Sequence, residues 1–237
     1  MNQVDFGLIV YRLATTLIPL ILAITIHEWA HVAMARFLGD RTGEQMGRLT
    51  LNPFAHIDPL WTVAFPAYFV ISQTLVGSGF VPFFAAGKPA PYTPLRLDRR
   101  FGDRRIRMGS AELLVAFAGP LSNLVMAGIA TVVTGLLLRA GLPFAQGSIS
   151  LLVFQFALLN LGLFLFNLIP LPPLDGSKIL YNLLPRAAAV KYEEISSQLS
   201  WLLLAVLFLG GARYVLSPFQ DALQSLMLHV VGFVGGA

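Results

Sequence analysis

The sequence predicts an all-α polytopic membrane protein, a bundle of about five or six transmembrane helices. A re-entrant or broken segment is expected between the first and third long apolar runs. Three observations predict this class. Of 237 residues, 56% are hydrophobic and only 12% charged, about half the roughly 25% charge of a soluble domain. Uncharged runs recur at Leu13–Ile26, Pro59–Gly87, Leu113–Leu138, Ile149–Leu174 and Leu199–Ala212. The basic residues gather in the short connections between those runs.

About 20 apolar residues cross a bilayer as a helix. The first run reaches that length with the stretch that follows it, so a helix is expected from about Gly7 to Leu38, stopping at Gly39-Asp40. A polar loop follows with Arg41, Arg48 and His56. Pro59–Gly87 is long enough to span but is broken by Pro66, Gly77, Gly79 and Pro82. In Gly87-Lys-Pro-Ala-Pro-Tyr-Thr-Pro94 the three prolines are too close for a helix, so this strip is expected to be extended. Glu112–Arg139 and Ile149–Ile169 read as spanning helices. Leu199–Ala212 is a shorter fifth run. The tail Pro218–Val234 carries Asp221, Ser225 and His229 four apart, an amphipathic stripe expected at the interface or against the bundle.

Charge sets the orientation. If the loops after the first helix, before the third run and after Asp175 share one face, that face holds all Lys and Arg except Arg12, Arg139 and Arg213. The positive-inside rule makes it cytosolic. Both flanks of Pro59–Gly87 then lie on one side, so the run is a re-entrant hairpin or two short spans, turning at Gly77-Ser-Gly79. Such backbone is tolerated at membrane depth where protein or a water-filled cavity covers it. A net charge of +4 spread over such loops argues against nucleic-acid binding. The N-terminus lacks a signal peptide's basic start, so no removable leader is expected.

The chemistry-bearing stretch is Ile24-Thr-Ile-His-Glu-Trp-Ala-His-Val32. Residues four apart share a helix face, so His27 and His31 can hold one metal ion, and the acid Glu28 can take a proton from water beside it. Ionisable groups are costly in apolar sequence, so the cluster reads as a functional site. There is no cysteine, so a third ligand must be a carboxylate or another histidine. Asp175 stands at the end of a span, after Pro170, Pro172 and Pro173, on the same face as His31. His56 and His229 are the competing candidates, His56 for a structural or site-proximal place and His229 for solvent. Asn167 lies on the same broken segment as Asp175 and could donate to a peptide oxyanion or orient substrate. Asn123, near Gly119-Pro120, is a weaker candidate for the same work, with packing as the alternative.

Three blocks together resemble the site-2 protease family of intramembrane zinc metalloproteases: His27-Glu-Trp-Ala-His31, Gly119-Pro-Leu-Ser-Asn123 and Asn167-Leu-Ile-Pro-Leu-Pro-Pro-Leu-Asp-Gly176. The blocks Gly47–Pro59 and Phe84–Pro91 look like its compact prokaryotic branch, which lacks a PDZ domain. The chain departs from that branch in reading Pro91-Tyr-Thr-Pro94 where Pro-Val-Asn-Pro is frequent, and Phe84-Ala-Ala86 where Phe-Gly-Trp is frequent. The resemblance implies Zn2+ held by His27, His31 and Asp175, Glu28 as general base, and Asn167 near substrate. It implies one protease domain over 1–237, with its core at about 7–185 and C-terminal helices at about 195–235. The substrate implied is a transmembrane segment of another protein, cut in the cell membrane from the cytosolic side. The competing class is a zinc-containing membrane protein that binds transmembrane helices without cutting them.

Overall fold

The computed structural model describes residues 5–76, 86–101, 104–206 and 212–236. Among these residues the chain forms eight α-helices: α1 (Phe6–Phe37), α2 (Thr42–Gln45), α3 (Phe65–Val76), α4 (Met108–Arg139), α5 (Ile149–Asn167), α6 (Asp175–Leu183), α7 (Arg186–Val206) and α8 (Ala212–Gly235). Of the five or six membrane helices expected, three, α1, α4 and α5, are long and apolar enough to cross a membrane among the described residues. α1 starts where Asp5 accepts a hydrogen bond from the Leu8 amide, and α5 where Ser148 does the same for Leu151. Each cap satisfies an amide that the helix itself leaves free.

α4 is the centre of the molecule and packs against α1, α5, α6 and α8. Its contact faces are built of small residues. Ala127 and Ala130 meet Phe154, Ala157 and Leu161 of α5 together with Met227 and Val231 of α8. Ala111 and Val115 meet Ala35 of α1 and Leu38 just past its end. Lipid tails are as apolar as leucine, so such helices associate through close van der Waals packing, which small side chains allow. The larger side chains Val125, Ile129 and Leu136 of α4 point outward, where a bilayer would cover them. The tail thus packs on the bundle, with its polar stripe Asp221, Ser225 and His229 on the exposed side.

Several expectations need correction. Pro66 does not break the run after Pro59. The chain forms a π-helical turn at Pro59–Ala64, capped by Asp58, and continues directly into α3. The wider turn hydrogen-bonds five residues back, so a proline at its exit costs less than it would inside an α-helix. The turn expected at Gly77-Ser-Gly79 lies outside the described residues. α7 begins at Arg186 rather than near 195, because the polar segment with Lys191, Glu193 and Glu194 is itself helical. The basic connection before α4 contains a two-residue antiparallel hairpin, β1 (Arg100–Phe101) with β2 (Arg104–Arg105), pairing Arg100 with Arg105. The Gly87–Pro94 strip is free of helix as far as Thr93, and Pro94 opens a single 3-10 turn, Pro94–Arg96.

Candidate metal centre

α1 turns His27 and His31 inward onto α4. Both are buried, and their Nε2 atoms lie 3.0 Å apart. Asp175 reaches the same point from the first turn of α6, with its Oδ2 at 3.1 Å from His27 Nε2 and 3.2 Å from His31 Nε2. Among the described residues this is the one group of three such side chains that could hold a metal ion. The spacing tests the fit. Donors on a tetrahedral zinc at bond lengths of about 2.0 Å are about 3.3 Å apart, and these three atoms sit at nearly that separation.

The other ring nitrogens explain why the Nε2 atoms are the ones left free to bind a metal. His31 Nδ1 is 2.7 Å from the Val115 carbonyl oxygen, which can only accept, so Nδ1 carries the proton. His27 Nδ1 is 2.6 Å from Asn123 Oδ1. Asn123 Nδ2 donates to Asn160 Oδ1 at 3.0 Å, and Asn160 Nδ2 donates to the Phe156 carbonyl oxygen at 2.9 Å. Every amide in that chain is therefore oriented, and His27 Nδ1 must donate. Both rings then turn lone pairs toward Asp175, the arrangement that metal-binding imidazoles need. Asn123 and Asn160 are fully buried, and their hydrogen bonds offset the cost of polar groups in an apolar interior.

Two glycines let these pieces close. A Cβ on Gly119 would lie 2.2 Å from His31 Nε2, so the histidines rest against bare α4 backbone. A Cβ on Gly176 would lie 2.4 Å from the carbonyl oxygens of both Leu168 and Ile169. Asp175-Gly176 is thus the first turn of a helix pressed against the end of α5, rather than a surface turn. Leu174 and Ser177 secure it, Leu174 donating to the Leu171 carbonyl and the Ser177 hydroxyl donating to the Leu174 carbonyl.

A cavity of about 180 Å³ opens beside the three donors. It has room for several waters. Glu28 and Asn167 line it with Tyr92 and Lys178. Glu28 is half-buried and has no hydrogen-bond partner among the described residues. Asn167 donates one amide hydrogen to the Leu163 carbonyl of its own helix. Burial, reinforced by the neighbouring Glu112 carboxylate, pushes the Tyr92 phenol above its usual range, so it stays protonated.

Asn123 is placed behind His27 instead of on the cavity wall, because its amide is consumed in fixing the ring. His56 is buried away from the donor cluster. Its Nε2 lies 2.8 Å from the Thr50 carbonyl oxygen, while its own carbonyl accepts the Lys88 amide at 2.8 Å. It is a neighbour of the site only through the Gly87 strip. His229 is exposed on α8. Asn160 and the Val115 carbonyl escaped the sequence reading. Asn160 stands in α5 as a lone amide in an apolar run, which is a signal of a buried partner.

Two imidazoles and a carboxylate closing on one point among apolar helices, with a free carboxylate on the adjoining cavity, define a metal-dependent hydrolase built into a helical membrane bundle. Comparison with known proteins agrees. The sequence pattern of Peptidase family M50 matches residues 140–208, a stretch that includes Asp175. A protein of Bacillus subtilis (strain 168) named "Putative zinc metalloprotease YwhC" is 36% identical over 218 residues, covering 90% of this chain and 89% of that protein. One of Mycolicibacterium smegmatis (strain ATCC 700084 / mc(2)155) named "Putative zinc metalloprotease Rip2" is 29% identical over 161 residues, covering 66% of this chain and 52% of that protein. No solved structure matches. The chain belongs to peptidase family M50, the site-2 proteases, and is a metalloprotease.

Proposed function

We propose that this chain is a zinc endopeptidase that cuts transmembrane segments of other membrane proteins, with residues 1–237 acting as one domain. The observation that carries the reading is the convergence of His27 Nε2, His31 Nε2 and Asp175 Oδ2 beside Glu28, on a cavity between apolar helices. The family is zinc-dependent, and zinc bound by these three residues would polarise the scissile carbonyl and make a nearby water more acidic. Glu28 takes a proton from the attacking water and returns it to the amine as the C–N bond breaks. The amide hydrogen that Asn167 does not spend on Leu163 is available to the substrate carbonyl oxygen.

A helical substrate hides its carbonyls in its own hydrogen bonds and must unwind to be cut. The Gly87–Pro94 strip offers it an edge. Thr93 is tied to Asp40 and Lys88 to His56 through their amides, while the amides of Ala90 and Tyr92 have no partner among the described residues. Pro89 and Pro91 have no amide to offer on the opposite edge, so pairing is directed to one side. The bias of basic residues supports a plasma-membrane protein with the site toward the cytosol.

The test is Glu28→Gln in cells that also make tagged single-span membrane proteins. Cleavage is expected to stop, with uncut partner retained and zinc content unchanged. Continued cleavage by the variant would remove Glu28 as the base.

A further inference from the structure

The structure assigns an anionic-lipid site to the open pocket on the outer face of α1, behind the turns that carry the zinc donors. The pocket, of about 490 Å³, is walled by Trp29, Phe37 and Leu49 and carries Arg36, Arg41 and Arg99. Trp29, Ala33 and Phe37 recur every four residues, so they form a stripe of their own, apart from the inward stripe of His27, His31 and Ala35.

Arg36 Nε is 2.9 Å from Glu44 Oε2, and Arg41 Nε is 3.9 Å from the same oxygen. One carboxylate is therefore shared by two guanidiniums. Arg99 is held over the Phe37 ring at 3.9 Å and donates to the Phe37 carbonyl oxygen at 2.6 Å. Counting its neighbour Asp98 as well, three arginines face two acids, and the pocket keeps an excess positive charge. A guanidinium presents its donors in the fork that matches phosphate oxygens.

Position decides which phosphate. Arg36 lies in the last turn of α1, about 7.5 Å along the axis from His31, where a spanning helix leaves the apolar slab. Tryptophan favours that interface, and basic pockets between helix ends take lipid headgroups. A soluble anion would gain nothing from the walls of Trp29 and Leu49, whereas a lipid lays its glycerol and upper chain against them.

The test measures binding to the purified full-length protein in neutral detergent, by native mass spectrometry and calorimetry. The probes are phosphatidylglycerol, phosphatidylcholine and inorganic phosphate. One phosphatidylglycerol is expected to bind saturably, at least about tenfold tighter than phosphatidylcholine, with inorganic phosphate not competing. Arg41→Gln is expected to weaken it about fivefold. That side chain is 71% exposed, so its loss leaves the fold intact and leaves basal proteolysis in detergent unchanged. Adding Arg99→Gln should weaken binding further, although it also removes the bond to the Phe37 carbonyl. Equal affinity for the two lipids, or wild-type affinity in Arg41→Gln, overturns the site. Competition by inorganic phosphate at equal affinity overturns its assignment to lipid. Neither readout depends on proteolysis, so the outcome is separate from that of the proposed function.

Discussion

Gly119→Ala is the sharpest test of how the metal centre is built. The added methyl carbon would stand 2.2 Å from His31 Nε2, 2.6 Å from His31 Cε1 and 2.7 Å from His27 Cε1. Ordinary carbon contacts begin at about 3.5 Å, so the imidazole must retreat by about 1 Å or α4 must move away from α1. Metal–ligand distances tolerate only about 0.2 Å. The displacement also breaks the bond from His31 Nδ1 to Val115, since ring and carbonyl move apart together. Losing such an orienting partner alone costs 10–100-fold in metal affinity, so a loss of at least about 100-fold is expected here. The assay is zinc affinity of the purified protein by chelator competition, with helix content followed by circular dichroism. Gly128→Ala on the same helix is the control. Nothing lies within 4 Å of its added carbon, and it should keep zinc and fold. Wild-type zinc affinity in Gly119→Ala would show that the histidines do not rest on bare α4 backbone.

The same geometry sets three further outcomes. Asn123→Ala should weaken zinc binding 10–100-fold by freeing the His27 ring, and Asn123→Asp, which keeps an acceptor for Nδ1, should recover part of the loss in the same titration. A methyl at Gly87 would meet Ile24 Cγ2 at 2.7 Å and Glu28 Cγ at 3.2 Å, so Gly87→Ala should lower kcat/KM about tenfold or more while zinc stoichiometry stays at one; lost zinc would contradict this. Gly176→Ala, crowding two carbonyl oxygens at 2.4 Å, should destabilise the fold by about 2–3 kcal/mol in thermal unfolding, and should release Asp175 from the donor set, seen as weaker zinc binding.

The helices α1, α4 and α5 were legible in the sequence because crossing a bilayer demands length and apolar character, which composition records directly. The meeting of His27, His31 and Asp175 was foreshadowed for a related reason, since charge-bearing groups in or beside apolar runs have few structural uses. What composition does not record is which backbone lies behind which side chain. Asn123 looked like a group for substrate or packing, yet its partner is His27, 96 residues away. Gly119 stood in a quoted motif, but nothing in the sequence tells that an imidazole presses on it. His56 was read as a possible ligand from its residue type, while the structure spends its ring on the Thr50 carbonyl. The polar start of α7 was missed because its apolar run begins only at Leu199, so the helix carries one continuous backbone through two kinds of surface.

The donor set also carries an order in time. Two of its members, residues 27 and 31, lie on α1 and so are made well before the third, residue 175, which is separated from His27 by 148 positions. A nascent chain with α1, α4 and α5 already inserted holds a pair of imidazoles and Glu28, but not the third candidate donor. The third donor arrives with the turn that Gly176 seats against α5. A half-made chain thus reaches the bilayer without a closed site, and the three side chains cannot meet until synthesis has passed α6.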